Sequence, residues 1–165
     1  MNILKNTFEK EALQDVFTSL LCDEHTFYER FTKDLQEARK EVIIESPYIT
    51  VKRLKTLLPV FTFLKSKNIS IFIITRDPQD HDEIMAIQSE LGIRMFENMG
   101  IQVLLEKRGH HRKLAMIDKR ITYEGSLNIL SQSRSREFMR RIDCEALTKE
   151  LIKFLGYDRF ANDAA

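Results

Sequence analysis

At 165 residues the chain carries enough apolar material for one ordinary domain, and 43% hydrophobic with 31% charged residues describes a globular protein, not a disordered or fibrous one. Lys, Arg, Asp or Glu breaks every apolar run before it reaches bilayer length, and the opening Met1–Phe8 lacks a secretory pattern. A single domain over 1–165, cytoplasmic and without stable membrane association, is therefore expected. The net charge of +1 conceals an asymmetry: Ile101 to Arg141 holds ten Lys or Arg against four Asp or Glu, so this stretch carries +6 and the remainder −5. Such a basic third points to an anionic partner. Cys22 and Cys144 stand far apart with no metal-site or disulfide spacing, and read as structural.

In chain order, Phe8, Leu13, Val16, Phe17, Leu20 and Leu21 fall near one helical face, which predicts a helix from about Thr7 to Leu21 as the body of an accessory N-terminal segment, 1–22. Phe27, Phe31, Leu35 and Ala38 predict a second amphipathic helix from about Asp23 to Lys40. The period then changes: Val42-Ile43-Ile44-Glu45-Ser46, ending at Pro47, reads as a buried strand. Val51 to Lys67 is expected to be helical, with Pro59 either starting or kinking it. Ser70 to Thr75 is a second buried strand, Asp77 to Asp82 a capping loop, and Glu83 to Met99 a helix stopped by Gly100. Ile101 to Leu105 gives a third strand. Arg112 to Ile117 and Ile121 to Glu124 form a hairpin about Asp118-Lys119-Arg120, and Cys144 to Leu155 is a last helix ended by Gly156. Strands alternating with helices, then a hairpin, predict an α/β domain whose mixed sheet is flanked by helices on both faces.

The chemistry concentrates in His111-Arg112-Lys113-Leu114-Ala115-Met116-Ile117-Asp118 and, after a short interval, Gly125-Ser126-Leu127-Asn128. Side chains alternate in a strand, so His111 and Lys113 project together while Arg112 and Leu114 point away. An imidazole beside an ammonium suits a phosphodiester: the lysine holds a non-bridging oxygen, and the histidine attacks phosphorus or protonates a leaving oxygen. Gly125 permits a tight turn after the hairpin, where Ser126, Asn128 and backbone N–H groups face an oxyanion, aided by any short helix that begins there.

His-x-Lys, four residues, Asp, six residues, Gly-Ser-x-Asn resembles the signature of the phospholipase D superfamily, a far more specific pattern than a lone glycine motif. The resemblance spans about Asp23 to Leu155 and implies the half-domain fold of that family. It also implies a metal-independent phosphodiesterase, with His111 forming a phosphohistidine in one subunit and acting as general acid in the other. Lys113, Ser126 and Asn128 would bind phosphate. Glu137 is similar to the downstream acid that hydrogen-bonds the histidine, and Asp118, opposite in parity to His111, is expected to orient or support the site. Family members use two motifs and this chain has one, so a homodimeric active site is implied.

Adjacent His110 and His111 face opposite ways in a strand, with no Cys, Asp or Glu at ligand spacing, so neither a metal nor a cofactor is expected. His25 and His81 read as exposed imidazoles. Lys107, Arg108, Arg112, Lys119, Arg120, Arg134, Arg136, Arg140 and Arg141 surround the motif and favour a polyanion, DNA or RNA, with Arg112, Arg134 and Arg136 as substrate contacts. Two other readings are a non-catalytic nucleic-acid-binding or dimerisation module and a phospholipid hydrolase. The lipid reading needs an apolar docking surface, for which only Phe8, Phe17, Leu20 and Leu21 qualify.

Overall fold

The computed structural model describes residues 18–107, 109–132 and 134–158. Its centre is a seven-stranded mixed sheet: β1 Thr18–Asp23, β2 Glu41–Glu45, β3 Ser70–Arg76, β4 Gln102–Glu106, β5 Leu114–Ile117, β6 Ile121–Gly125 and β7 Phe138–Asp143, in the order β1-β7-β6-β5-β2-β3-β4. The helices are α1 Phe27–Gln36, α2 Val51–Ser66, α3 Glu83–Asn98 and α4 Glu145–Leu155, with a 3₁₀ turn at Pro78–Asp80. Strands β2, β3 and β4 run parallel, and all remaining pairs are antiparallel. Near-continuous apolar runs in β2 and β3 follow from burial on both faces. One face packs Val42, Ile44, Ile71, Ile73, Ala115, Ile117 and Tyr123 against α1, α2 and α3. The other packs Ile43, Phe72, Ile74 and Met116 against Ile152 of α4 and Tyr157. The α/β class and two-faced cover are as the sequence implied.

Local chemistry sets the boundaries. Thr50 caps α2 by accepting from Arg53 N (3.3 Å), Asp82 caps α3 by accepting from Met85 N (3.0 Å), and Gly156, at φ 68°, ends α4. Pro59 lies inside α2 and not at its start.

The N-terminal expectation needs correction. Residues 18–23, including Leu20 and Leu21, form edge strand β1 and not the end of a helix. The remainder of that predicted helix, Phe8 and Phe17 among it, lies outside the described residues. Helical spacing misled because β1 is an edge strand, whose two faces carry no strict alternation: Leu20 and Leu21 are both exposed and Cys22 alone is buried. Helix α1 begins at Phe27, later than predicted, because Asp23 Oδ1 accepts from His25 N (3.1 Å), Thr26 N (2.8 Å) and Thr26 Oγ1 (2.7 Å) and spends those residues on a turn.

Strand β7 was not predicted. Its sequence, Phe-Met-Arg-Arg-Ile-Asp, looks solvated, yet Arg141 is buried beneath α1. There Asp34 accepts from Arg141 Nε (2.5 Å), Tyr123 Oη (2.5 Å) and Arg30 Nη2 (2.8 Å). Phe27 and Phe31 meet the Tyr123 ring edge-on at 5.5 and 5.3 Å and shield the cluster. Burial raises the Asp34 pKa, but hydrogen bonds from Arg141 and Tyr123 and the attraction of Arg141 outweigh it and hold the carboxyl below the ordinary range.

The Asp118 carboxylate fastens the hairpin to the α1–β2 linker. It accepts from the backbone N–H of Arg39 (2.8 Å), Lys40 (2.8 Å) and Glu41 (3.0 Å). Asp118 and Lys119 both take positive φ, 53° and 55°, the twist a tight hairpin demands.

Two outcomes follow. Asp118→Ala should lower stability by about 2–4 kcal/mol, since three charge-assisted bonds vanish together, read as an earlier urea midpoint. Because the folded pKa of Asp34 lies below its unfolded value, its contribution is complete above the ordinary aspartate pKa and fades as pH falls through the folded one. The stability gap between wild type and Asp34→Ala, about 3–5 kcal/mol near neutrality, should therefore narrow in urea titrations carried from about pH 5 downward.

Candidate active site

The parallel strands end on one edge of the sheet, where β5 begins, β6 ends and β7 begins; this is where open α/β sheets place ligands. His111, Lys113, Ser126, Asn128 and Glu137 all lie in the loops of this edge. Residues 110–113 precede β5 but keep its two-residue alternation. Lys113 Nζ donates to the His111 carbonyl oxygen (2.6 Å) and lies 2.8 Å from His111 Nδ1. An ammonium can only donate, so this contact suits a ring nitrogen with a free lone pair. Lys113 is buried and His111 exposed. Burial lowers the Lys113 pKa, and the negative charge of Glu137 opposes that shift.

The opposite parity is held by Glu45. Its Oε1 accepts from Arg112 Nε at 2.7 Å and lies 3.2 Å from His110 Nδ1, so the neighbours on either side of His111 share one carboxylate oxygen. The Tyr157 hydroxyl hydrogen-bonds the same carboxylate. Burial raises the Glu45 pKa against the pull of Tyr157 and Arg112. Burial, followed by the positive charges of Arg112 and Lys113, takes His110 down to about 4, so the ring is a neutral imidazole whose Nδ1–H can donate a hydrogen bond to Glu45. Sequence reasoning missed Glu45 and His110. The signal was a glutamate closing an otherwise apolar strand, which must find a partner once buried.

Gly125 matters for space, not for a positive φ: a Cβ there would lie 2.2 Å from the Phe138 carbonyl oxygen, so only glycine lets β7 pass this closely. Ser126 N donates to that carbonyl (3.0 Å), and Ser126 Oγ accepts from Phe138 N (3.2 Å), which leaves the hydroxyl proton available. No helix follows. Asn128 opens a turn in which its carbonyl accepts from Ser131 N (3.0 Å) and Gln132 N (2.8 Å), while its side-chain Oδ1 is buried without a partner. Glu137 N donates to Glu24 Oε2 (3.1 Å), and among the described residues no hydrogen bond joins Glu137 to His111.

Asp118, expected to orient or support the site, binds backbone N–H groups at the far end of β5, roughly 20 Å from His111 at strand rise, and so supports the fold. A larger cleft of about 860 Å³ also sits at that far edge, around Asp118 and Arg120, away from His111. Arg112, half exposed beside Lys113 and Ser126, pairs with the buried Glu45 through Nε. Arg120 pairs with Asp143 (2.7 Å), Lys119 with Glu41 (3.8 Å) and Arg141 with Asp34, while Arg140 donates to Ser19 Oγ (2.9 Å). Arg134, Arg136 and Lys107 remain exposed near the motif, and Arg108 lies outside the described residues. His25 is exposed as expected. His81 is not: it is half-buried against Tyr48 with ring centroids 5.0 Å apart, and burial lowers its pKa.

The family described as cardiolipin synthase, PLD-like domain, matches residues 31–158. No curated protein matches the sequence. Among solved structures the chain is similar to Nuc, a phospholipase D family member from Salmonella typhimurium, at 12% identity and a TM-score of 0.68 over 84% of this chain and 91% of that one. It is likewise similar to NucT from Helicobacter pylori, at 19% identity and a TM-score of 0.61 over 90% and 97% of the two chains. A third likeness is to the phosphatidylserine synthase of Haemophilus influenzae, at 18% identity and a TM-score of 0.68, covering 89% of this chain but 40% of that one. With the family matched across most of its length and the fold shared with these structures, the chain belongs to the phospholipase D superfamily as a PLD-like domain.

Proposed function

We propose that the chain is a metal-independent phosphodiesterase that cuts nucleic acid through a phosphohistidine intermediate in a homodimeric active site. The observation that carries this reading is the direct contact of Lys113 Nζ with His111 at the edge that also presents Ser126 and Asn128. A non-bridging phosphate oxygen attracts the Lys113 ammonium away from the ring, freeing the imidazole nitrogen to attack phosphorus. The Ser126 hydroxyl and the Asn128 amide then share the charge that builds on the equatorial oxygens. A histidine that has bonded to phosphorus cannot protonate the leaving oxygen, so a second His111 must come from another copy of the chain. Phe138, half exposed beside Ser126, offers an apolar edge for that copy.

Nucleic acid is favoured over lipid because Arg134, Arg136 and Lys107 are exposed around the motif. No helix of the described residues is long and apolar enough to cross a membrane.

Single- and double-stranded DNA and RNA, and an aryl phosphodiester, should be offered to the protein in excess EDTA. Cleavage that persists in EDTA and falls at least about 1,000-fold in His111→Ala is the expected result, together with a dimer in analytical ultracentrifugation. Binding that survives His111→Ala with no cleavage by wild type would instead establish a non-catalytic module. Glu45→Gln removes the charge that ties down both neighbours of His111, and should lower kcat by about 100-fold through misplacement of the ring while KM moves less than threefold. An equal loss in a variant equally destabilised at the distant Asp34 would show that Glu45 acts on folding alone.

A further inference from the structure

A cavity of about 550 Å³ opens on the far side of Asn128, between the N-terminal ends of α2 and α3 and the turn after the motif. It lies on the same sheet edge as His111, and Asn128, two residues beyond Ser126, lines it. Its volume falls within the roughly 300–1,000 Å³ that holds one small-molecule-sized group. Tyr48 lines it, braced on one side by the His81 ring at 5.0 Å and 32°. Met85 adds an apolar surface. Lys52, in the first turn of α2, is exposed and has no ion-pair partner among the described residues. Arg53 is committed elsewhere: Nη2 and Nε donate to the Gln132 carbonyl at 2.8 and 3.1 Å, and its guanidinium covers the Tyr28 ring at 3.9 Å, which fixes the cavity wall. Gln88 accepts from Val51 N through Oε1 (3.2 Å), leaving its amide N–H groups to donate.

An aromatic ring held from behind, an uncommitted amide donor and an unpaired lysine, all lining the cavity that Asn128 also lines, match the parts of one nucleotide. The ring takes a base face, the amide a base edge, and the lysine the next phosphate. We propose that this cavity is a nucleoside subsite that receives the unpaired base next to the scissile phosphate, and so selects single-stranded nucleic acid. A base still paired and stacked in a duplex has no face free for Tyr48 and enters only by unstacking, which disfavours duplex substrates. The proposal rests on the nuclease reading above and adds the strand state and the residues that read it.

The test compares wild type, Tyr48→Ala, Tyr48→Phe and Lys52→Ala on a single-stranded oligonucleotide, a duplex of the same sequence and an aryl phosphodiester. Binding is read separately from 2-aminopurine fluorescence of a labelled oligonucleotide on the His111→Ala dimer. Expected are a wild type that cuts the single strand at least tenfold faster than the duplex, and a rise in oligonucleotide KM for Tyr48→Ala at least tenfold greater than its effect on the aryl ester. Tyr48→Phe should restore most of that loss, and 2-aminopurine quenching should disappear with Tyr48→Ala. Equal loss on both substrates would overturn the proposal by reducing Tyr48 to a support for Asn128, and so would unimpaired oligonucleotide cleavage by Tyr48→Ala. Hydrolysis of phosphatidylglycerol vesicles with the same Tyr48 dependence would overturn it in favour of a lipid headgroup. Failure of wild type to bind any oligonucleotide would overturn the nuclease reading as well, an outcome distinct from binding that ignores Tyr48.

Discussion

Side-chain alternation across residues 110–113 is the constraint on which the site depends. In extended backbone, neighbours must face opposite ways. Here one parity is anchored: His110 and Arg112 converge on a single oxygen of a fully buried glutamate. With those two held, His111 and Lys113 meet each other instead, and Lys113 lies with Ser126 on that edge. A buried carboxylate is costly unless compensated, and leaving it unpaired costs more still. Any backbone shift that turned His111 away would strand Glu45, so the penalty for losing the active geometry is paid in the core.

The same logic recurs on the opposite face. Arg141, Asp34, Tyr123 and Arg30 form a second buried ionic cluster that pins β7 beneath α1. Strand β7 carries Glu137 at its entrance and passes over Gly125 too closely for any larger residue. Its position therefore decides where the acidic side chain lies relative to Lys113. Asp118 completes the scaffold at the far end of the hairpin by closing three backbone N–H groups. Three carboxylates that a charge count would set on the surface thus hold the frame.

That use of charge changes the meaning of the basic stretch. Counted along the chain, Ile101 to Arg141 looks like a single positive surface. In the fold, Arg112, Arg120 and Arg141 neutralise acids from Glu45, Asp143 and Asp34, two of them distant in sequence. The exposed basic side chains left over are fewer and more local: Arg134, Arg136, Arg140 and Lys107 in that stretch, and Lys52 at the cavity beyond Asn128.

Much of this protein could be read from its sequence. The alternation of strand and helix, the caps at Asp82 and Gly156, the hairpin about Asp118 and the shared projection of His111 and Lys113 all rest on interactions within a few residues, where period and spacing carry the information. The tertiary structure alone decided the rest. Strand β1 was hidden in a helical pattern because an edge strand need not alternate. Strand β7 was hidden because Arg141, one of its two arginines, is buried by a partner 107 residues away. Glu45, His110, Tyr48 and His81 gained their roles from contacts between separate loops and strands, and the commitment of Arg112 and Asp118 to the frame follows from the same long-range pairing. Local periodicity reports which side of an element is apolar, but it holds no information about which distant charge will come to lie opposite.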